Sequence, residues 1–170
     1  MAFPSSAAFV VERRNDGSEI MSHFTRALIT GAAGALGKEL RKSGQRLAKH
    51  IRLTDRIASQ ALEPQEEDRP FDLSDMKAVM AGVAGCDAIV HLGAQSTEGT
   101  WDAVLNSNII GTYNIYEAAR RHGVKRIVYA SSIHAVGHYE RNHTIDAKVP
   151  TRPDSLYGVS KTFGENLASY

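Results

Sequence analysis

The sequence predicts an α/β protein built on a doubly wound parallel sheet, and three features carry that prediction. Short apolar runs suited to buried strands alternate with longer stretches of helical periodicity. The first run opens directly into Thr30-Gly31-Ala32-Ala33-Gly34-Ala35-Leu36-Gly37, with its glycines at G-x-x-G-x-x-G spacing. Gly31, Asp55, Gly93 and Ser132 each close an apolar run, and so fall at the carboxyl ends of strands, where such sheets bind ligands.

Ala27-Leu28-Ile29-Thr30 reads as the first strand, compact enough for a buried parallel strand and too short for a core helix. Gly31 permits a tight exit turn, Gly34 lets backbone approach a phosphate, and Gly37 lets the next helix pack closely. In that helix Leu36, Leu40 and Leu47 recur at near-helical spacing, with Lys38, Glu39, Arg41 and Lys42 on the other faces. Its N-terminus would aim free N–H groups and its dipole at an anion, which suits a dinucleotide pyrophosphate. Ile51-Arg52-Leu53-Thr54-Asp55 is the second strand. A carboxylate at Asp55 can accept from adenosine ribose hydroxyls and repels a 2′-phosphate, which favours NAD. Arg56 follows at once, attracts phosphate, and leaves NADP open.

Ala58 to Asp68 reads as a polar surface connection, and Phe71 as the end of a short third strand before Asp72-Leu73. Ser74 is placed to cap a helix carrying Met76, Val79, Met80 and Val83 on one face. Ala88 to Leu92 is the fourth strand, ending at Gly93. A helix from about Trp101 to Arg121 follows, with Gly123 as its C-terminal glycine. Arg126 to Ala130 is the fifth strand, with Ser131-Ser132 at its carboxyl end. Near the end, Tyr157-Gly158-Val159-Ser160-Lys161 sets a phenol and an ammonium four residues apart, on one face of a helix. With the glycine loop, that pair indicates a nicotinamide-dependent enzyme that moves a hydride and a proton. His91, inside an apolar run, reads as a packed strand histidine. His134, just past Ser132, is equally suited to touching substrate or capping a loop. No histidine cluster has metal-ligand spacing, so no metal is predicted.

At 170 residues, net charge +1 and 42% hydrophobic residues, the chain amounts to one domain with a real core. Near-neutral charge without a basic cluster argues against a nucleic-acid partner, and no apolar stretch approaches membrane-spanning length. The lone Cys86 cannot form an internal disulfide, and a cytoplasmic location is expected. Residues 1–23 differ from the rest: a mildly apolar start without a basic n-region runs into Glu12-Arg13-Arg14-Asn15-Asp16-Gly17, which makes no signal peptide. We read them as a disordered extension, or a leader upstream of a natural start at Met21, ahead of a domain over residues 24–170.

Thr30 to Gly37, Asp72-Leu73, His91-Leu92-Gly93-Ala94, Ser131-Ser132 and Tyr157-x-x-x-Lys161 together resemble the extended short-chain dehydrogenases/reductases, the Rossmann-fold superfamily of NAD-dependent epimerases and dehydratases. The stretches Val83–Gly93, Asn108–Arg120 and Leu156–Ala168 resemble the uronate dehydrogenases in particular, so the similarity covers about residues 25–170. These oxidise the anomeric carbon of galacturonate or glucuronate to the aldaric acid lactone with NAD. The resemblance implies that Tyr157 is the general base and also contacts the NAD, that Lys161 lowers its pKa and holds the nicotinamide ribose, and that Ser132 orients the reacting oxygen. It further implies that Ala35, Leu36, Asp55, Asp72, Leu73, Leu92, Gly93 and Ala94 line the NAD site beside Gly31, Gly34 and Gly37. Asn108 would support the nicotinamide end, while Ser96, Ser132, Ile133 and His134 would meet the substrate. Ile133 departs from the pattern, which has asparagine there, and an apolar branch in place of an amide opens the pocket to a different acid. The resemblance also implies further strands and a substrate-binding part beyond Tyr170, homo-oligomeric full-length relatives, and an inactive 170-residue piece. The alternatives are an epimerase or dehydratase acting on a nucleotide-linked sugar, which returns the hydride, and a non-catalytic NAD-binding protein.

Overall fold

Leu28, Ile29 and Thr30, none more than 1% exposed, form the last three residues of β1 (Arg26–Thr30), the central strand of a five-stranded parallel sheet. The computed structural model describes residues 24–42 and 47–170; the extension expected over residues 1–23 lies outside the described residues. After β1 come α1 (Ala35–Lys42), β2 (His50–Thr54), β3 (Glu66–Asp68), α2 (Met76–Val83) and β4 (Ala88–His91). A helical rod follows in three parts: α3 (Trp101–Val104), a π-helical segment (Leu105–Ile110) and α4 (Gly111–His122). The chain then forms β5 (Arg126–Tyr129), a 3-10 turn (Ile133–Ala135) and α5 (Leu156–Ser169).

The strand order is β3-β2-β1-β4-β5, every pair parallel, so the winding reverses between β1 and β4 as in a doubly wound sheet. Thr30 is in register with both Thr54 and His91. Three strands therefore end level, and the residues just after them, Gly31, Asp55 and Leu92, emerge side by side. Alternation along β1 sends Leu28 to a cluster with Val79, Val83, Ile89, Ile115 and Ala118, beneath α2 and α4. It sends Ile29 to the opposite face with Ile51, Leu53 and Val90, where Leu40 and Leu47 pack.

Four local expectations are corrected. The third strand lies at Glu66–Asp68, not up to Phe71, and pairs Glu66 with Ile51 and Asp68 with Leu53. It is an edge strand held by ion pairs instead of apolar burial. Arg41 forks onto Glu66 through Nε at 3.0 Å and Nη2 at 2.7 Å, and Arg52 Nε reaches Glu67 at 2.7 Å. Arg52 is itself buried and also donates to the carbonyls of Gly82 and Ala84, tying β2 to the end of α2. The cap of α2 is Asp75, which accepts from the N–H groups of Lys77 and Ala78, while Ser74 donates its hydroxyl to Asp72. The helix expected from Trp101 to Arg121 is broken by the π-helical segment, whose wide turn seats Asn108 at 1% exposure; Gly123, at φ +67°, closes α4. In α1 the buried residue is Gly37, Leu36 is 67% exposed, and Leu47 lies beyond the helix.

Candidate active site

Gly31 sits at φ +70°, and a Cβ there would lie 2.7 Å from the amide nitrogen of Gly93. A side chain at Gly37 would collide with the Gly31 carbonyl and with Ala32. The β1–α1 turn, the first turn of α1 and the exit of β4 are thus in backbone contact, and α1 opens with N–H groups that have no intrahelical partner. Thr30 fixes the third side: its Oγ1 accepts from Gly93 N at 2.9 Å and lies 2.7 Å from Nδ1 of His91. The Thr30 hydroxyl proton is then free to go to Nδ1, which leaves His91 protonated on Nε2, 3.3 Å from Thr112 Oγ1. Burial, with a smaller contribution from Lys161, pushes the His91 pKa down to about 3, so the ring is a neutral packed histidine. Asp55 accepts from Ala33 N at 3.1 Å and from Arg56 N at 2.7 Å, which sets its carboxylate beside the glycine loop.

One cleft gathers Gly31, Gly34, Ala35, Leu36, Gly37, Asp55, Asp72, Leu73, Leu92, Gly93 and Ala94, all expected at a cofactor. Ser96, expected at the substrate, lines the same cleft, together with Thr54, Arg56, Phe71 and Ser107. The Ser74 N–H and hydroxyl on Asp72 hold that carboxyl below the ordinary range. Asn108 stands behind the wall. Its Oδ1 accepts from Gln95 N at 2.7 Å, and its Nδ2 donates to Gln95 O and, at 2.9 Å, to Ser160 Oγ.

The second group assembles at the end of β5. Ser155 caps α5 through Gly158 N at 3.0 Å, and Glu98 accepts from the N–H groups of Leu156 and Tyr157, a carboxylate at the positive end of the helix. One turn on, Lys161 is 3% exposed and donates from Nζ to the carbonyl of Ala130 at 2.8 Å. The ammonium lies 5.0 Å from the centre of the Tyr129 ring and 5.5 Å from that of Tyr157. Burial pushes its pKa down to about 8. Ser132 opens the 3-10 turn and accepts from His134 N at 3.2 Å; the rings of His134 and Tyr157 meet edge to face, 5.7 Å apart. Ser132, His134, Tyr157 and Lys161 therefore form one chain of contacts, while Ile133 is 81% exposed.

Sequence reasoning missed Glu98, Ser160 and Asp154. Ser160 links Asn108 to the α5 backbone, donating to Tyr157 O at 2.6 Å, and Asp154 pairs with His134 Nδ1 at 2.8 Å. Pro153-Asp154-Ser155 carried a helix-start signal that could have found Asp154. Glu98, in an irregular loop far off in sequence, offered none. Among the described residues, no group of three His, Cys, Asp or Glu side chains is placed to hold a metal ion. Among them, too, no helix is long and apolar enough to cross a membrane.

The chain is 50% identical over 149 residues to uronate dehydrogenase of Pseudomonas syringae pv. tomato, covering 86% of this chain and 54% of that protein. Glucuronic acid dehydrogenase from Chromohalobacter salexigens superposes with a TM-score of 0.83 at 51% identity, over 86% of this chain and 55% of that one. A variant of uronate dehydrogenase from Agrobacterium tumefaciens, in complex with NAD, superposes with a TM-score of 0.81 at 51% identity, over 85% and 54% of the two chains. The chain thus spans about half the length of these relatives. Residues 27–170 match a family profile along their whole extent, and with the parallel sheet and glycine cleft in place the chain belongs to the NAD-dependent epimerase/dehydratase family.

Proposed function

We propose that this chain carries the NAD site and the Ser-Tyr-Lys chemistry of a dehydrogenase that oxidises an aldohexuronate, such as galacturonate or glucuronate, to the aldaric acid lactone. The observation that carries the reading is the placement of Lys161. The Ala130 carbonyl holds its ammonium at the carboxyl edge of the sheet, next to Tyr157 and one step from Ser132. Similarity to uronate dehydrogenases over most of the chain supports the substrate class.

The cleft suits NAD on its own residues. Gly31 and Gly93 let the β1 and β4 turns lie against each other where any Cβ would collide, α1 supplies N–H groups to a pyrophosphate, and Asp55 offers a carboxylate to a ribose diol. When bound, NAD supplies the hydride acceptor. The work of the protein is with the proton and with position. Tyr157, as phenolate, takes the proton of the anomeric hydroxyl, and Lys161 places a positive charge beside that phenolate. Ser132 donates to the reacting oxygen, while Ser96 and His134 stand beside the sugar. Asn108 fixes the Gln95 loop against α5, so that both sides of the cleft keep their spacing. This reading takes residues 24–170 as one NAD-binding unit in the cytoplasm, with a small-molecule sugar acid as partner, no nucleic acid, and a homo-oligomeric whole protein.

The test is NADH formation. The whole protein, including the substrate-binding part expected beyond Tyr170, is incubated with NAD and either uronate, and in parallel with nucleotide-linked sugars. NADH accumulating with a uronate is the expected result. Conversion of a nucleotide-linked sugar without net NADH, and no reaction with uronates, would replace this reading by the epimerase one.

A further inference from the structure

Asp154, which lines neither the glycine cleft nor the Ser-Tyr-Lys group, is built against His134. Its Oδ1 sits 2.8 Å from His134 Nδ1 and also accepts from Ser155 Oγ at 3.0 Å. Its own N–H donates to the His134 carbonyl at 3.3 Å. The segment around it runs beside the 3-10 turn, with Arg152 N on Ala135 O at 2.9 Å and His138 N on Arg152 O at 3.0 Å. Two glycines leave room for the pair. A Cβ at Gly137 would strike the Asp154 carboxylate, and one at Gly158 would strike the His134 carbonyl. The pairing with His134 is also the leading reason that the Asp154 carboxyl lies below its ordinary range.

We infer that Asp154 is a positioning residue that fixes the tautomer and orientation of His134 beside Tyr157. A carboxylate accepts only, so Asp154 holds the proton of a neutral imidazole on Nδ1 and leaves Nε2 as the ring atom turned away from it. The same contact keeps the ring at its edge-to-face station on Tyr157. Asp154 reaches the substrate through His134 alone, and Ser155, which it also holds, caps the helix that carries Tyr157. This inference rests on the proposed function for what His134 meets, but not for the geometry of the pair.

Two measurements test it. Nitrogen-15 NMR of the imidazole in the intact protein is expected to show neutral His134 protonated on Nδ1, and Asp154→Ala to move that proton to Nε2. An unchanged tautomer would overturn the inference whether or not the protein oxidises uronates. In the kinetic arm, Asp154→Ala is expected to lower kcat/KM for uronate by about tenfold to a hundredfold, with NAD affinity unchanged. In a His134→Ala background the same change is expected to cost less than about twofold, since the two residues act as one unit. Asp154→Asn keeps an acceptor oxygen for Nδ1 and for Ser155, and is expected to recover most of the activity. Equal losses in both backgrounds, or Asp154→Asn as impaired as Asp154→Ala, would mean that Asp154 serves only the fold of the α5 N-terminus. If no uronate oxidation occurs at all, the proposed function falls and the tautomer measurement alone decides this one.

Discussion

Lys161→Met should make the protein more stable near neutral pH while abolishing the uronate oxidation proposed for the whole protein. The Lys161 pKa is pushed from 10.5 to about 8 by burial alone, in a side chain that is 3% exposed. That displacement corresponds to about 3 kcal/mol of penalty on the charged form. Methionine, of similar length and uncharged, removes the penalty. Loss of the bond to Ala130 and of the cation over the Tyr129 face returns about 1 kcal/mol each, leaving a net gain of about 1 kcal/mol. The pH dependence fixes the sign independently. The folded pKa lies below the unfolded one, so the wild type gains stability as pH rises through 8 toward 10.5, where the unfolded chain still holds the proton and the folded chain has released it. By about pH 9.5 the wild type should have recovered about 2 kcal/mol relative to Lys161→Met, reversing their order. Urea unfolding of both proteins at neutral pH and near that pH measures the difference directly. A variant less stable than wild type at neutral pH, with a gap that does not move with pH, would refute the argument that Lys161 is held charged against its burial.

In the whole protein, Tyr157→Phe should reduce turnover of galacturonate or glucuronate by about 10²–10⁴ and leave NAD affinity within a few fold, because the cofactor is held mainly by the glycine loop, Asp55 and Lys161. Steady-state kinetics with a titration of NAD check it, and activity within tenfold of wild type would remove Tyr157 from the mechanism. Asp55→Ala should narrow the preference for NAD over NADP in paired binding titrations, since the carboxylate beside the glycine loop repels a 2′-phosphate. Tighter binding of NADP by the wild type would contradict that placement. Asp75→Ala should cost about 1 kcal/mol of unfolding free energy through loss of the α2 cap, whereas Ser74→Ala, outside the cap, should cost less; the reverse order would return the cap to Ser74.

The strands the sequence predicted well are those that show apolar residues at their core-facing positions. β1 and β4 are short, largely apolar runs of buried residues flanked by glycine or polar residues, β2 sets Ile51 and Leu53 into the core, and half-buried β5 still shows Ile127-Val128, so apolar spacing alone exposes all four. β3 was misplaced because Glu66-Glu67-Asp68 is held by Arg41 and Arg52 from other elements, and hydropathy carries no trace of partners that distant. The glycine cleft was legible because its demands are local: a positive φ at Gly31 and a close approach at Gly37. The roles of Ser96 and Asn108 depended on how loops fold back, and Asn108 lies behind the cleft in place of lining it. Asp154 was visible only once the 3-10 turn and the start of α5 were seen side by side.

The π-helical segment makes residues 101–122 two helices spliced out of phase. The α3 side is indexed to the loop that Asn108 clasps, and the α4 side to the core that Ile115, Ala118 and Ala119 enter. A single residue separates the two phasings. Deleting one residue between Leu105 and Ile110 would let the rod run as continuous α-helix, but would turn one portion about 100° against the other. The chain could then keep its buried alanines or its grip on Gln95 and Ser160, not both. This stretch therefore tolerates substitution more readily than any change of length, and a one-residue insertion elsewhere in the rod is the only kind of second change that could restore a deletion within it.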